Sequence, residues 1–204
     1  MSDLHSLEAF KRLALPHHLA LHIGFVSMKQ LAPIFAYFGS FEAALEATES
    51  QWRQTNILTD SQLKKLLGED RQALVDEALN WGEAANQSWL PLGSPFYPEL
   101  LTSIDDAPLM LSARGSAALL ADPQIAIVGS RHASKQGVNT AKDFAQYLSS
   151  QGLTITSGLA LGIDAAAHQG GLAGMGKTIA VVATGLDRIY PAANQTLGRQ
   201  IAEE

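Results

Sequence analysis

Three short glycine-bearing segments hold the residues best suited to chemistry: Gly129-Ser130-Arg131, Ser157-Gly158-Leu159-Ala160-Leu161-Gly162-Ile163-Asp164 and Thr184-Gly185-Leu186-Asp187. Glycine lets a backbone approach a ligand with no Cβ in the way. Exposed N–H groups at the start of a following helix favour an anion, and a guanidinium such as Arg131 matches phosphate with a fork of donors. Phosphate is therefore the natural guest of such loops. Lys177 reads as a second cation facing the same groove or as a solvated surface lysine. Glycines also end strands in many α/β domains, so it is the three together, beside Arg131, that point to a site.

Other chemistries fit less well. Gly129-Ser130-Arg131-His132-Ala133-Ser134 lacks the G-x-G-x-x-G dinucleotide fingerprint, and no acidic residue closes a second strand for a ribose. Gly176-Lys177-Thr178 resembles the end of a phosphate-binding P-loop but precedes a strand instead of opening a helix. Asp164 and His168 are four apart and share a helix face; with Ser157 they tempt a nucleophilic triad. Ser157, however, is not on a G-x-S-x-G elbow, and Asp164 has a ready structural use among the free N–H groups of a helix start. Asp164, His168, Gly162 and Gly185 are accordingly assigned to loop structure. Two candidate ligands are too few for zinc, so no metal and no cofactor are expected.

The elements that position these loops alternate. Ile125-Ala126-Ile127-Val128, Leu153-Thr154-Ile155-Thr156 and Thr178-Ile179-Ala180-Val181-Val182-Ala183 read as buried strands. A helix capped by Ser134 buries Val138, Ala141, Phe144, Ala145 and Leu148 and closes at Gly152; further helices fall around 162–174 and over 193–203. Parallel strands joined by helices predict an α/β, Rossmann-like sheet with its ligand at the carboxyl ends of the strands. Only three βα units are visible, so either extended pieces near Trp89 and Leu109 complete the sheet or the domain is cut short at its C-terminal side.

Residues 4–82 read as short helices separated at Pro16, Gly24, Gly39-Ser40 and Thr59-Asp60-Ser61, with Ser40 and Thr59 or Asp60 as caps. Pro91, Pro95, Pro98 and Pro108 then end continuous helix. The expected division is a small all-α module over 1–84 and a Rossmann-like domain over 85–204.

Composition narrows the classes. At 47% hydrophobic and 17% charged, the 204 residues can bury a core. There is no cysteine, which excludes disulfide scaffolds and thiol chemistry. No apolar run approaches a membrane span of about 20 residues, and Met1-Ser2-Asp3-Leu4-His5 lacks a signal peptide's basic start, so a cytoplasmic protein without membrane association is expected. The net charge of −6 argues against bulk electrostatic coating of nucleic acid. It is uneven: residues 1–124 carry 8 Lys/Arg against 15 Asp/Glu, whereas residues 125–204 carry 6 against 5. A polyanion would be met in the second part, through a local site.

Tyr97-Pro98-Glu99-Leu100-Leu101, Asp105-Asp106-Ala107-Pro108, Gly129-Ser130-Arg131, the block from Ser157 to His168, Thr178-Ile179-Ala180-Val181 and the block from Gly185 to Asn194 follow in order and spacing a known pattern. The chain resembles the DprA (Smf) family of DNA-processing proteins over residues 20–204, its helical part matching a SAM-like or helix-hairpin-helix module more weakly. The resemblance implies a non-enzymatic protein that binds single-stranded DNA and brings a RecA-type recombinase onto it during natural transformation, usually as a homodimer. It implies a groove lined by Gly129, Ser130, Arg131, Ser157, Gly158, Leu159, Ala160 and Lys177. Family members continue with further strands and a Phe-Pro-x-Arg-Asn-Arg segment that this chain lacks. Its hairpin near Ile23-Gly24-Phe25 has a single glycine, which favours a protein-contact or spacer role for the module. The rival from another class is a Rossmann-like hydrolase of nucleoside monophosphates, whose Pro-Gly-Gly-x-Gly-Thr pattern is not found here.

Overall fold

The computed structural model describes residues 2–203. They divide into two compact units, split between Ser112 and Ala113.

The first unit is built from seven helices: α1 (Ser2–Lys11), α2 (Leu15–Ile23), α3 (Met28–Phe38), α4 (Phe41–Glu46), α5 (Glu49–Thr55), α6 (Asp60–Leu66) and α7 (Arg71–Glu83). Ser40 caps α4 by accepting from Ala43 N–H, and Thr59 caps α6 by accepting from Gln62 N–H. Pro16 sits in the first turn of α2, where its missing N–H breaks no helical bond. None of these helices is long enough to be stable alone, so the apolar core they share must hold them. Trp52, Phe10, Phe41, Leu19, Leu21, Leu31 and Ile34 are fully buried, and Trp52 Nε1–H donates to the Ala44 carbonyl at 2.9 Å. His18 is buried with its ring edge-on to Phe10, and burial pushes its pKa down to about 4. At the turn after α2 the left-handed residue is Phe25 (φ 53°), whereas Gly24 is needed for space: a Cβ there would stand 2.8 Å from Leu66 Cδ1.

The unit boundary falls 28 residues later than the expected 84/85. The reason is packing. Strands β1 (Gln87–Pro91) and β2 (Met110–Arg114) pair as a separate two-stranded sheet, and Leu92, Tyr97, Leu109 and Met110 are buried in the helical core. The proline-rich segment thus completes the first unit's core instead of adding strands to the parallel sheet.

The second unit runs β3 (Gln124–Ala126), α8 (Lys135–Ser150), β4 (Thr154–Ser157), α9 (Ile163–Leu172), β5 (Thr178–Ala180) and α10 (Gln195–Glu203). The sheet is parallel in the order β3-β4-β5, in register Ile125↔Ile155 and Ile155↔Thr178. This is the expected Rossmann-like unit. Gly152 ends α8 at φ 87°, as a left-handed C′ residue should. Small residues let α8 and α9 lie close: a Cβ on Gly170 would overlap the Lys142 carbonyl and stand 2.7 Å from the Ala145 methyl. Ala145, Ile155 and Ala167 form the buried apolar centre. Phe144, expected on the buried face, is 54% exposed, because it flanks the α8 face that carries Ala145 and Leu148.

Candidate nucleic-acid interface

The carboxyl ends of β3 and β4 bring two of the glycine segments together. The Ser130 carbonyl accepts from Ile163 N–H at 3.2 Å, joining the first loop to the start of α9. Gly162 (φ 77°) is indispensable to this approach, since a Cβ there would overlap the Ser130 carbonyl oxygen. Ser157 Oγ donates to the Ile127 carbonyl at 2.6 Å, locking the two strand exits in register.

The Asp164 carboxylate lies beneath both loops. Its Oδ1 accepts from Gly129 N–H at 3.4 Å, and its Oδ2 accepts from Gly158 N–H at 3.2 Å and from Ala160 N–H at 3.4 Å. Leu159, buried at φ 58°, donates its N–H to His168 Nε2 at 3.3 Å. Thr178 Oγ1 spends its proton on the Ile155 carbonyl at 2.6 Å, so toward His168 Nδ1, 2.7 Å away, it can only accept. That network assigns the neutral Nδ1–H tautomer to His168. Burial pushes the imidazole pKa down to about 4, against the opposing pull of the Asp164 charge. Finally, Asn194 Nδ2 donates to the Leu159 and Ala160 carbonyls at 2.9 and 3.1 Å.

These bonds correct the expectation of bare amides. The N–H groups of Gly129, Gly158, Leu159 and Ala160 are all used inside the protein, and a carboxylate occupies the place where a phosphate would have met three of them. Ser157, His168 and Asp164 each serve different partners and form no triad. What the rim presents outward is side chains. Arg131 is exposed and, among the described residues, in no ion pair. Ser130 and Gly158 are exposed, and Ser130 Oγ accepts from His132 N–H at 3.1 Å. Lys135, exposed in the first turn of α8, adds a cation that the sequence reading passed over; its place directly after the Ser134 cap was the available signal.

Lys177 does not join this group. It precedes β5, at φ 58°, and its carbonyl accepts from Ile155 N–H at 3.2 Å at the amino end of the strand. In a parallel sheet that end is one strand length away from the Arg131 rim, about 10 Å for three residues. Gly185 is exposed beyond β5, where a Cβ would stand 2.5 Å from Asp187 Oδ1. Arg188, in the same stretch, pairs with Asp187 at 3.4 Å. Asn194 was visible in sequence only as the end of the Gly185–Asn194 block; its partners lie 34 and 35 residues earlier.

Residues 88–204 match the family described as DNA recombination-mediator protein A. The chain belongs to this family. It is similar to the DNA processing protein DprA of Streptococcus pneumoniae, 48% identical over 108 residues, which are 53% of this chain and 38% of that protein. The X-ray structure of the S. pneumoniae protein matches with a TM-score of 0.72 and 30% identity, over 94% of this chain and 65% of that one. DNA processing protein A from Helicobacter pylori, whose structure concerns a single-stranded DNA binding mode, matches with a TM-score of 0.52 and 31% identity over 57% of this chain and 52% of that one. The matched stretch thus covers less than two thirds of the S. pneumoniae relative, 38% by sequence and 65% by structure. The blocks singled out in the sequence have a physical meaning in this structure: the Ser157–His168 block builds the second loop and its grips, and Asn194 carries the Gly185–Asn194 block onto it.

Proposed function

We propose that the chain binds single-stranded DNA at the carboxyl rim of the β3-β4-β5 sheet, as part of a protein that places a RecA-type recombinase on the strand during DNA uptake and works as a homodimer in the cytoplasm. The observation that carries the reading is the exposed, unpaired Arg131 on a loop pinned to the start of α9. Family membership and the H. pylori neighbour supply the ligand class. Among the described residues no single helix is long and apolar enough to cross a membrane.

Because the N–H groups of Gly129, Gly158, Leu159 and Ala160 are occupied, phosphates would be held by side chains, chiefly Arg131 with Lys135 and the Ser130 hydroxyl. Such contacts position a strand without reading its sequence. Each phosphate neutralised on a single strand contributes about −0.7 to the slope of log affinity against log salt, so two cations predict a shallow slope of about −1.4. The test is a fluorescence-anisotropy titration of labelled single- and double-stranded oligonucleotides at two salt concentrations. Wild type should prefer the single strand, and Arg131→Ala should weaken binding about tenfold while flattening the slope by about 0.7. Equal affinity of wild type and Arg131→Ala would remove the proposed site.

A further inference from the structure

We infer that Asn194 is a positioning residue for this rim, an inference that rests on the single-stranded DNA reading above. Asn194 closes the 3₁₀ turn Ala192–Asn194 just ahead of α10 and is 7% exposed. Its Nδ2 carries two hydrogens and spends them on successive carbonyls, Leu159 O at 2.9 Å and Ala160 O at 3.1 Å.

Leu159 is the residue that needs this. At φ 58° it holds a left-handed conformation that a branched side chain keeps only when its surroundings over-determine it. His168 and Asp164 take the N–H groups of Leu159 and Ala160 from one side, and both come from α9. Asn194 takes the carbonyls of the same two residues, and it comes from beyond β5. The peptide units are therefore gripped by two separate segments of chain, and the loop cannot pivot on α9 alone. Loss of the Asn194 donor leaves two inward carbonyls without a partner, which favours their rotation toward water. The movement would reach Arg131, because Gly162, at the end of the same loop, packs directly on the Ser130 carbonyl and the Arg131 backbone.

The test uses Asn194→Ala and Asn194→Asp, the latter replacing two donated hydrogens with acceptors that repel the carbonyls. Hydrogen exchange should accelerate about tenfold at the amides of residues 158–162 while α8 keeps its protection. Single-stranded oligonucleotide affinity should fall about fivefold, and the double variant Arg131→Ala/Asn194→Ala should bind no more weakly than Arg131→Ala alone, as coupled residues do. Unaltered exchange in both variants, or a double variant whose losses simply add, overturns the role. Wild type that ignores the oligonucleotide sinks the DNA reading itself; wild type that binds, with Asn194→Ala binding equally well, sinks only the role of Asn194. Should Asn194→Asp fail to fold, Asn194→Ala supplies the same measurements.

Discussion

The two units solve the problem of a stable interior in opposite ways. The helical unit buries large apolar side chains, with Trp52, Phe10 and Phe41 at its centre. The α/β unit has a small apolar centre of Ala145, Ile155 and Ala167, and spends its buried volume on Ser149, Thr154, Ser157, Asp164, His168, Thr178 and Asn194. Apolar burial is non-directional, so the first unit tolerates varied geometry as long as volume is kept. Buried polar groups must each find a partner, so the second unit tolerates one geometry only. Precision at the rim is what that interior supplies, and the proposed side-chain contacts to phosphates would need it.

The contrast can be broken at several points. The largest effect should follow Trp52→Ala, which empties the helical core and loses the bond to the Ala44 carbonyl; a cost of about 3–5 kcal/mol is expected, read as a lowered denaturant midpoint for the helical unit. Gly162→Ala should cost on the order of 3 kcal/mol in the other unit, because it adds both a left-handed backbone penalty and an overlap with the Ser130 carbonyl. A proteolysis pattern in which residues 113–204 become sensitive while the helical unit stays resistant would check it.

Acid offers a sharper comparison, since each unit hides one neutral histidine with a pKa near 4 instead of the usual 6.5: His18 in the first and His168 in the second. The unfolded chain binds the proton more readily than the folded one. Stability is therefore complete above pH 6.5, declines as pH falls toward about 4, and is level below that. The loss at full protonation is on the order of 3 kcal/mol for each histidine. Thermal unfolding at pH 7 and pH 4.5 should show the loss in both units. His168→Gln should lower the stability of the second unit at pH 7 yet remove its acid sensitivity, leaving that of the first intact. The smallest effect should belong to Lys177→Ala. Its place at the amino end of β5 predicts less than about a twofold change in oligonucleotide affinity, against tenfold for Arg131→Ala. A Lys177→Ala loss as large as that of Arg131→Ala would put the strand across both ends of the sheet.

Much of this was legible in the residues. Ser40, Thr59 and Ser134 announce their helices because a cap acts within three residues, and Gly152 marks its terminus for the same local reason. The three parallel strands were legible because each lies in an apolar run that leads into a glycine and is followed by helical spacing. The proline-rich stretch after Asn86 was not assignable from sequence, because its composition says only where helix stops; which core receives Leu92, Tyr97, Leu109 and Met110 is a matter of packing. Phe144 misled for a related reason: helical spacing locates a face to within one side chain, and the edge of that face lies open.

At the rim, residue types alone determined that glycines, a guanidinium and a parallel sheet would converge, since strand order and loop chemistry follow from local pattern. They left undecided which backbone groups remain for a ligand. That was decided by contacts across 35 residues of chain, Asp164 to Gly129 and Asn194 to Leu159, which no local periodicity encodes. The same limit applies to Lys177, whose position near a strand was evident but whose end of the sheet follows only from chain direction and register. Hydrogen bonding is short-ranged in space and indifferent to separation in sequence, so only the folded chain could show that the amides of Gly129, Gly158, Leu159 and Ala160, expected to hold phosphate, already hold the protein together.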